Sequence, residues 1–133
     1  MILDTSALIA ILEDEPASAR LRTLVAEYGG RLAAPTLVEA RMVAFGKGGP
    51  EAVRRLDRFV LRSELEIAPF DAAQADAATE AFLVYGRGSG HPARLNYGDT
   101  FSYALAQTAD EPLLFVGDDF AGTDLRSAWD EYA

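Results

Sequence analysis

Apolar and polar positions along this chain of 133 residues follow two spacings. Short apolar runs with strand character stand at Ile2–Leu3, Arg31–Ala34, Glu66–Phe70 and Leu113–Val116. The last is unbroken, as a parallel strand covered on both faces requires. Between them the apolar residues recur at helical intervals. Leu8, Ile9, Ile11 and Leu12 follow Asp4, Thr5 and Ser6, each able to cap a helix. A turn at Glu13–Pro16 leads to a second helix from Ala17 to Tyr28, closed by Gly29–Gly30. Thr36 predicts the start of a third, through Val38, Met42, Val43 and Phe45, ending in Gly46–Gly49. Pro50 suits the first turn of another, to about Arg62. Asp71 caps an alanine-rich helix to about Tyr85. Gly86–Leu95 reads as a loop, and Asn96 caps a helix through Phe101, Ala104 and Leu105. Gly117–Gly122 is a polar loop, and Leu125–Trp129 is compatible with more than one state.

Short strands alternating with helices predict an α/β layered domain with a mostly parallel sheet. No internal repeat, low-complexity tract or linker interrupts the pattern, and the length suits one domain over residues 1–133. In open sheets of this kind, sites form beyond the carboxyl ends of the strands. Asp4 and the pair Asp118–Asp119 each follow an apolar strand, so acids far apart in the chain fall on one sheet edge.

Each acid also has a plain structural reading. Asp4 can be an N-cap. Glu39 stands three residues after Thr36, the spacing of a capping box, and Asp99 three after Asn96, in the first turn of a helix. Asp118 and Asp119 can be turn residues. Together, however, first-turn acids following strands would gather at one end of the sheet. Like charges in one pocket raise each other's pKa values unless a cation compensates them. Oxygen donors without a Cys or His cluster favour Mg²⁺ or Mn²⁺ over zinc. Metal-assisted phosphodiester hydrolysis is the chemistry that follows.

Composition changes this picture in two ways. Cysteine is absent and no secretory leader pattern opens the chain, which fits a reducing cytoplasm. No apolar run is long enough to span a bilayer, so no membrane partner is expected. The net charge is −9, which by itself argues against a nucleic-acid ligand and for a basic protein partner or a cation-filled pocket. Yet Arg54, Arg55, Arg58 and Arg62 cluster in one segment, where they serve either an RNA path or a solvated helix face. Arg87 and Arg94, beside the Asp99 segment, are better placed to meet RNA phosphates. His91, the sole histidine, reads as a loop residue before Pro92, and Trp129 as a packing anchor.

Four stretches carry a resemblance: MILDTSAL at the start, TLVEA around Glu39, HPARLNYGDTFSYALA around Asp99 and PLLFVGDDFAGTDL around Asp118–Asp119. In order and spacing the chain resembles PIN-domain ribonucleases, specifically VapC-type toxins of bacterial toxin–antitoxin pairs. The resemblance implies a PIN-like three-layer α/β/α sandwich and a Mg²⁺- or Mn²⁺-dependent endoribonuclease. It implies that Asp4 and Asp99 are the principal metal-binding acids. Glu39 would be the third acid, a ligand through water or a helper in activating water. Asp119, before Phe120, matches the fourth acid and metal ligand, with Asp118 beside it where Asn is common. Thr5 and Ser6 match a polar pair that supports the first acid or contacts phosphate. Thr100 stands where many relatives have Cys. A homodimer is implied as well, and inhibition by a VapB-type antitoxin whose basic residues enter the acidic pocket.

Other classes fit less well. A phospho-accepting receiver domain wants a second acid after the first strand and a lysine after a late strand, but the sole lysine is Lys47. An aspartyl-phosphate phosphatase wants a second Asp two residues after Asp4, where Ser6 stands. A catalytically weak PIN-fold module that binds RNA or protein is the main alternative.

Overall fold

The computed structural model describes residues 1–132. The strands are β1 (Ile2–Leu3), β2 (Arg31–Ala33), β3 (Glu66–Ala68) and β4 (Leu113–Leu114). The helices are α1 (Thr5–Leu12), α2 (Ser18–Tyr28), α3 (Ala34–Arg62), α4 (Ala72–Tyr85), α5 (Tyr97–Ala109) and α6 (Ala128–Tyr132). The strands form one parallel sheet in the order β3-β2-β1-β4.

The two-residue period of the strands divides the core into two layers. Leu3, Leu32 and Leu114 face one side, where they pack with Leu8, Leu21 and Leu56 from α1, α2 and α3. Ile2, Ala33 and Leu113 face the other, with Ala81, Tyr103 and Leu105 from α4 and α5. Helices on both faces make this a three-layer α/β/α sandwich, and two-sided burial explains why β1 and β4 are apolar throughout, while β2 and β3 open on Arg31 and Glu66. Each fully buried Leu or Ile contributes about 1.5–3 kcal/mol of transfer free energy.

The connectivity fixes where a site can form. From β1 the chain moves outward to β2 and β3, then crosses back to place β4 on the opposite side of β1. The carboxyl end of β1 is therefore a topological switch point, the crevice where open α/β sheets bind ligands. At the amino end, Glu111 accepts from the Met1 amino group at 3.1 Å and pairs with Arg31. Beyond β4, Leu113 bridges in parallel to Ser127, and the Trp129 indole N–H donates to the Phe115 carbonyl at 2.7 Å.

Three sequence expectations are corrected. The third helix begins at Ala34, not Thr36, with Pro35 in its first turn. Thr36 is consequently no cap. Strands β3 and β4 are shorter than Glu66–Phe70 and Leu113–Val116, because pairing stops at Ala68 and Leu114. The expected break before Pro50 is real. Helical geometry is lost at Gly48 and Gly49, and Gly49 has φ 66° and ψ −159°, a region open essentially to glycine alone. Gly49→Ala should therefore lower stability in urea unfolding by about 1–3 kcal/mol. An unchanged midpoint would show that the break does not need this geometry.

Candidate active site

Asp4 leaves the central strand and caps α1. Its Oδ2 accepts from the Ser6 backbone N–H at 3.0 Å and from Ser6 Oγ at 2.7 Å. Its Oδ1 accepts from Ser102 Oγ of α5 at 2.6 Å. Ser6 Oγ in turn accepts from the Val116 N–H at 3.0 Å, just past β4. A carboxylate only 4% exposed is thus supplied with three donors, as a buried charge requires. The cap and the site acid are one residue.

Asp99 has the same double role. Its backbone N–H donates to Asn96 Oδ1 at 2.9 Å, and its own Oδ2 accepts from the Asn96 N–H at 3.0 Å, a complete capping box. Burial is the main reason its carboxyl is pushed up to about 7. The Asn96 N–H opposes that shift, while the charges of Asp4, Asp119 and Glu39 add to it.

Glu39 departs from its capping reading. Because α3 starts two residues early, Thr36 is buried inside the first turn, with its hydroxyl 3.4 Å from Ser102 Oγ. Glu39 reaches instead across to α1, where Thr5 Oγ1 donates to its Oε1. Burial raises the Glu39 carboxyl, the Thr5 bond partly offsets this, and the charge of Asp4 reinforces it. The hydroxyls of Thr5 and Ser6 are thus engaged with the acids.

The loop after β4 is pinned by Phe120, 3% exposed and packed against Phe115 at a ring distance of 5.4 Å. Asp118 and Asp119 remain exposed. Asp119 is among the charges that raise Asp99, and Asp118 is not among the main ones. Asp4, Glu39, Asp99 and Asp119 therefore act on one another at the switch point. Among the described residues, no three Asp, Glu, His or Cys side chains close in tightly enough to hold an ion as they stand.

Other candidates lie outside this group. Arg87 and Arg94 are exposed on the loop before α5, outside the hydrogen bonds that join the acids. His91 organises that loop, its Nδ1 accepting from the Ala93 N–H at 3.0 Å and its ring meeting Tyr85 edge-on. Arg54 and Arg58 pair with Glu51, and Arg55 donates to the Leu12 carbonyl. Ser102 and Gly98 were not legible as site residues. Ser102 stands one helical turn after Asp99, a spacing that places both on one face of α5 and is the signal that could have found it. Beside Glu39 opens an apolar groove of about 910 Å³, lined by Pro35, Val38, Met42, Tyr97 and Phe101.

The pattern of the PIN domain family matches residues 1–125. The Mycobacterium tuberculosis ribonuclease VapC42 is 47% identical over 129 residues, covering 96% of this chain and 98% of that protein. In structure, M. tuberculosis VapC20, described as a sarcin–ricin loop cleaving toxin, superposes with a TM-score of 0.75. It has 16% identity and covers 93% of this chain and 95% of its own. VapBC2 from Rickettsia felis, solved on a promoter DNA fragment, gives 0.73 at 18% identity, covering 95% of each chain. A class of sandwich with acids at its switch point thus has a family: the chain belongs to the PIN-domain proteins, among relatives named as VapC ribonucleases.

The raised carboxyls have a consequence for stability. Asp99 and Glu39 hold protons more tightly folded than unfolded. Their ionisation therefore opposes folding as pH rises from about 4, and for Asp99 the loss levels off above about 7. In chelator, wild type should lose up to a few kcal/mol more than Asp99→Asn between pH 5 and 8. Parallel urea-derived profiles for the two proteins would refute this.

Proposed function

We propose that the protein is a divalent-metal-dependent endoribonuclease, the toxic partner of a VapBC-type module, hydrolysing RNA phosphodiester bonds at the Asp4–Glu39–Asp99–Asp119 crevice. One observation carries the reading: acids from four chain-distant segments face one crevice, three of them oriented by neutral donors, and burial, reinforced by the charges of Asp4, Asp119 and Glu39, pushes Asp99 up to about 7. Dependence on a divalent metal is general among PIN-domain ribonucleases, and the donor set fits one. All the donors are carboxylate oxygens, with no cysteine in the chain and the lone histidine bound into its own loop. That chemistry suits Mg²⁺ or Mn²⁺, which keep several waters and need no closed cage of protein ligands.

Asp4, Asp99 and Asp119 would hold the cation, with Asp118 beside them. The cation, when bound, supplies a water of lowered pKa and offsets charge on the phosphate. Thr5 and Ser6 keep Glu39 and Asp4 aimed into the crevice. Glu39, half-buried, accepts the proton of the attacking water. Arg87 and Arg94, exposed on the loop before α5, meet the RNA backbone.

The partners follow the relatives. A VapB-type antitoxin would cover the acidic crevice with basic side chains, consistent with the charge of −9. No helix among the described residues is long and apolar enough to cross a membrane, and a cytoplasmic location is the reading that suits the cysteine-free chain. We assign a homodimer as well. Val38, Met42, Phe45 and Tyr97 are more than half exposed on α3 and α5, a band of apolar surface that a second copy would bury.

Asp4→Asn keeps the capping oxygen but removes the charge. Purified free of antitoxin, this variant should unfold close to wild type yet cleave structured RNA in Mg²⁺ or Mn²⁺ about 100-fold more slowly. Full activity would sink the reading, and tight RNA binding without cleavage by wild type in either metal would favour the binding module. Met42→Glu should convert the dimer to a monomer in sedimentation equilibrium, and a monomeric wild type would dismiss the dimer.

A further inference from the structure

We propose that Gly98 is a positioning residue for Glu39: its missing side chain is the space in which the Glu39 carboxylate sits. This rests on the ribonuclease reading above. Gly98 is the second residue of α5, buried between Tyr97 and Asp99. A Cβ built there would lie 1.7 Å from Glu39 Oε2, 2.5 Å from its Cδ and 2.9 Å from Oε1. Its backbone gives no reason for glycine, since Gly98 is not among the residues with positive φ. Glycine in an ordinary helical position is less favourable than alanine. The first turn of α5 thus accepts a weaker helix former, and what it admits is a carboxylate.

The other half of the clamp is Thr5, whose hydroxyl donates to Glu39 Oε1. Glu39 is therefore held between the start of α1, next to Asp4, and the start of α5, next to Asp99. A methyl group at position 98 would displace the carboxylate by more than about 1 Å, enough to cost up to about 100-fold where a reacting group must be aligned. The displaced atoms are the far end of a flexible side chain, so the fold itself should survive. The effect falls on where Glu39 points.

The test is a double-mutant cycle with two readouts. Gly98→Ala, Glu39→Ala and the double variant are compared for RNA cleavage in Mn²⁺ and for thermal midpoint in chelator. In cleavage, Gly98→Ala should approach the loss of Glu39→Ala, and in the Glu39→Ala background it should change the rate by less than about twofold. The thermal midpoint should reverse sign. Gly98→Ala lowers it in wild type, where the Thr5 bond is lost, and raises it in Glu39→Ala, where only helix propensity changes. Gly98→Ala/Glu39→Asp, with a shorter side chain, should recover part of the lost cleavage. Equal effects of Gly98→Ala in both backgrounds would overturn the proposal. Full activity of Glu39→Ala would also overturn it, without touching the ribonuclease reading, which Asp4→Asn decides separately.

Discussion

The buried carboxylate of Asp4 is the joint on which this end of the molecule turns. An ionised acid taken out of water costs several kcal/mol unless donors replace the lost hydration. Here the replacement comes from Ser6 twice and from Ser102 once. Ser6 also receives the Val116 N–H. Satisfying one charge therefore ties together the central strand, the first turn of α1, the middle of α5 and the chain leaving β4. Ser102 extends the set to Thr36 and the start of α3. The switch point between β1 and β4 is held in shape by polar bonds, and the apolar layers beneath it supply the floor.

None of the donors in that set carries a charge. Hydroxyls and amides orient the acids but leave their charges uncompensated, so Asp4, Glu39, Asp119 and Asp99 continue to act on one another, most visibly at Asp99. Like charges gathered in this way are what a bound cation would relieve. The helix ends contribute to this arrangement. Asp4 and Asp99 each satisfy orphan amides at a helix start, and helix starts gather at the carboxyl edge of a parallel sheet. Capping puts the acids at the right edge, and the sheet order decides which of them meet.

The acids differed in how far sequence spacing disclosed them. Asp4 after Ile2–Leu3, and Asp99 three residues after Asn96, were legible because capping is local chemistry. The capping reading of Glu39 failed for the same reason. Thr36 and Glu39 have the spacing of a capping box, but Pro35 fits the first turn, so the helix starts at Ala34 and Thr36 is buried. Freed from the cap, Glu39 finds Thr5, 34 positions away. Asp118 and Asp119 were alike as turn residues, and only the resemblance favoured Asp119; in the fold Phe120 anchors their loop against Phe115, and Asp119 is the one among the main charges acting on Asp99.

Residue order alone determined the alternation of strands and helices, the two-sided burial of the last strand and the sheet edge on which the acids would fall. Each of these depends on side-chain period, caps and turn residues within a few positions of one another. Tertiary structure decided what depends on contacts between distant segments. Ser102 supports Asp4 across 98 positions, and the bare backbone of Gly98 makes room for Glu39. The spacing of Ser102 from Asp99 puts it on the right helix face but does not say which acid it serves, and a glycine in a first turn has no local mark of function. Their roles exist only once the strand order β3-β2-β1-β4 brings the starts of α1, α3 and α5 to one crevice.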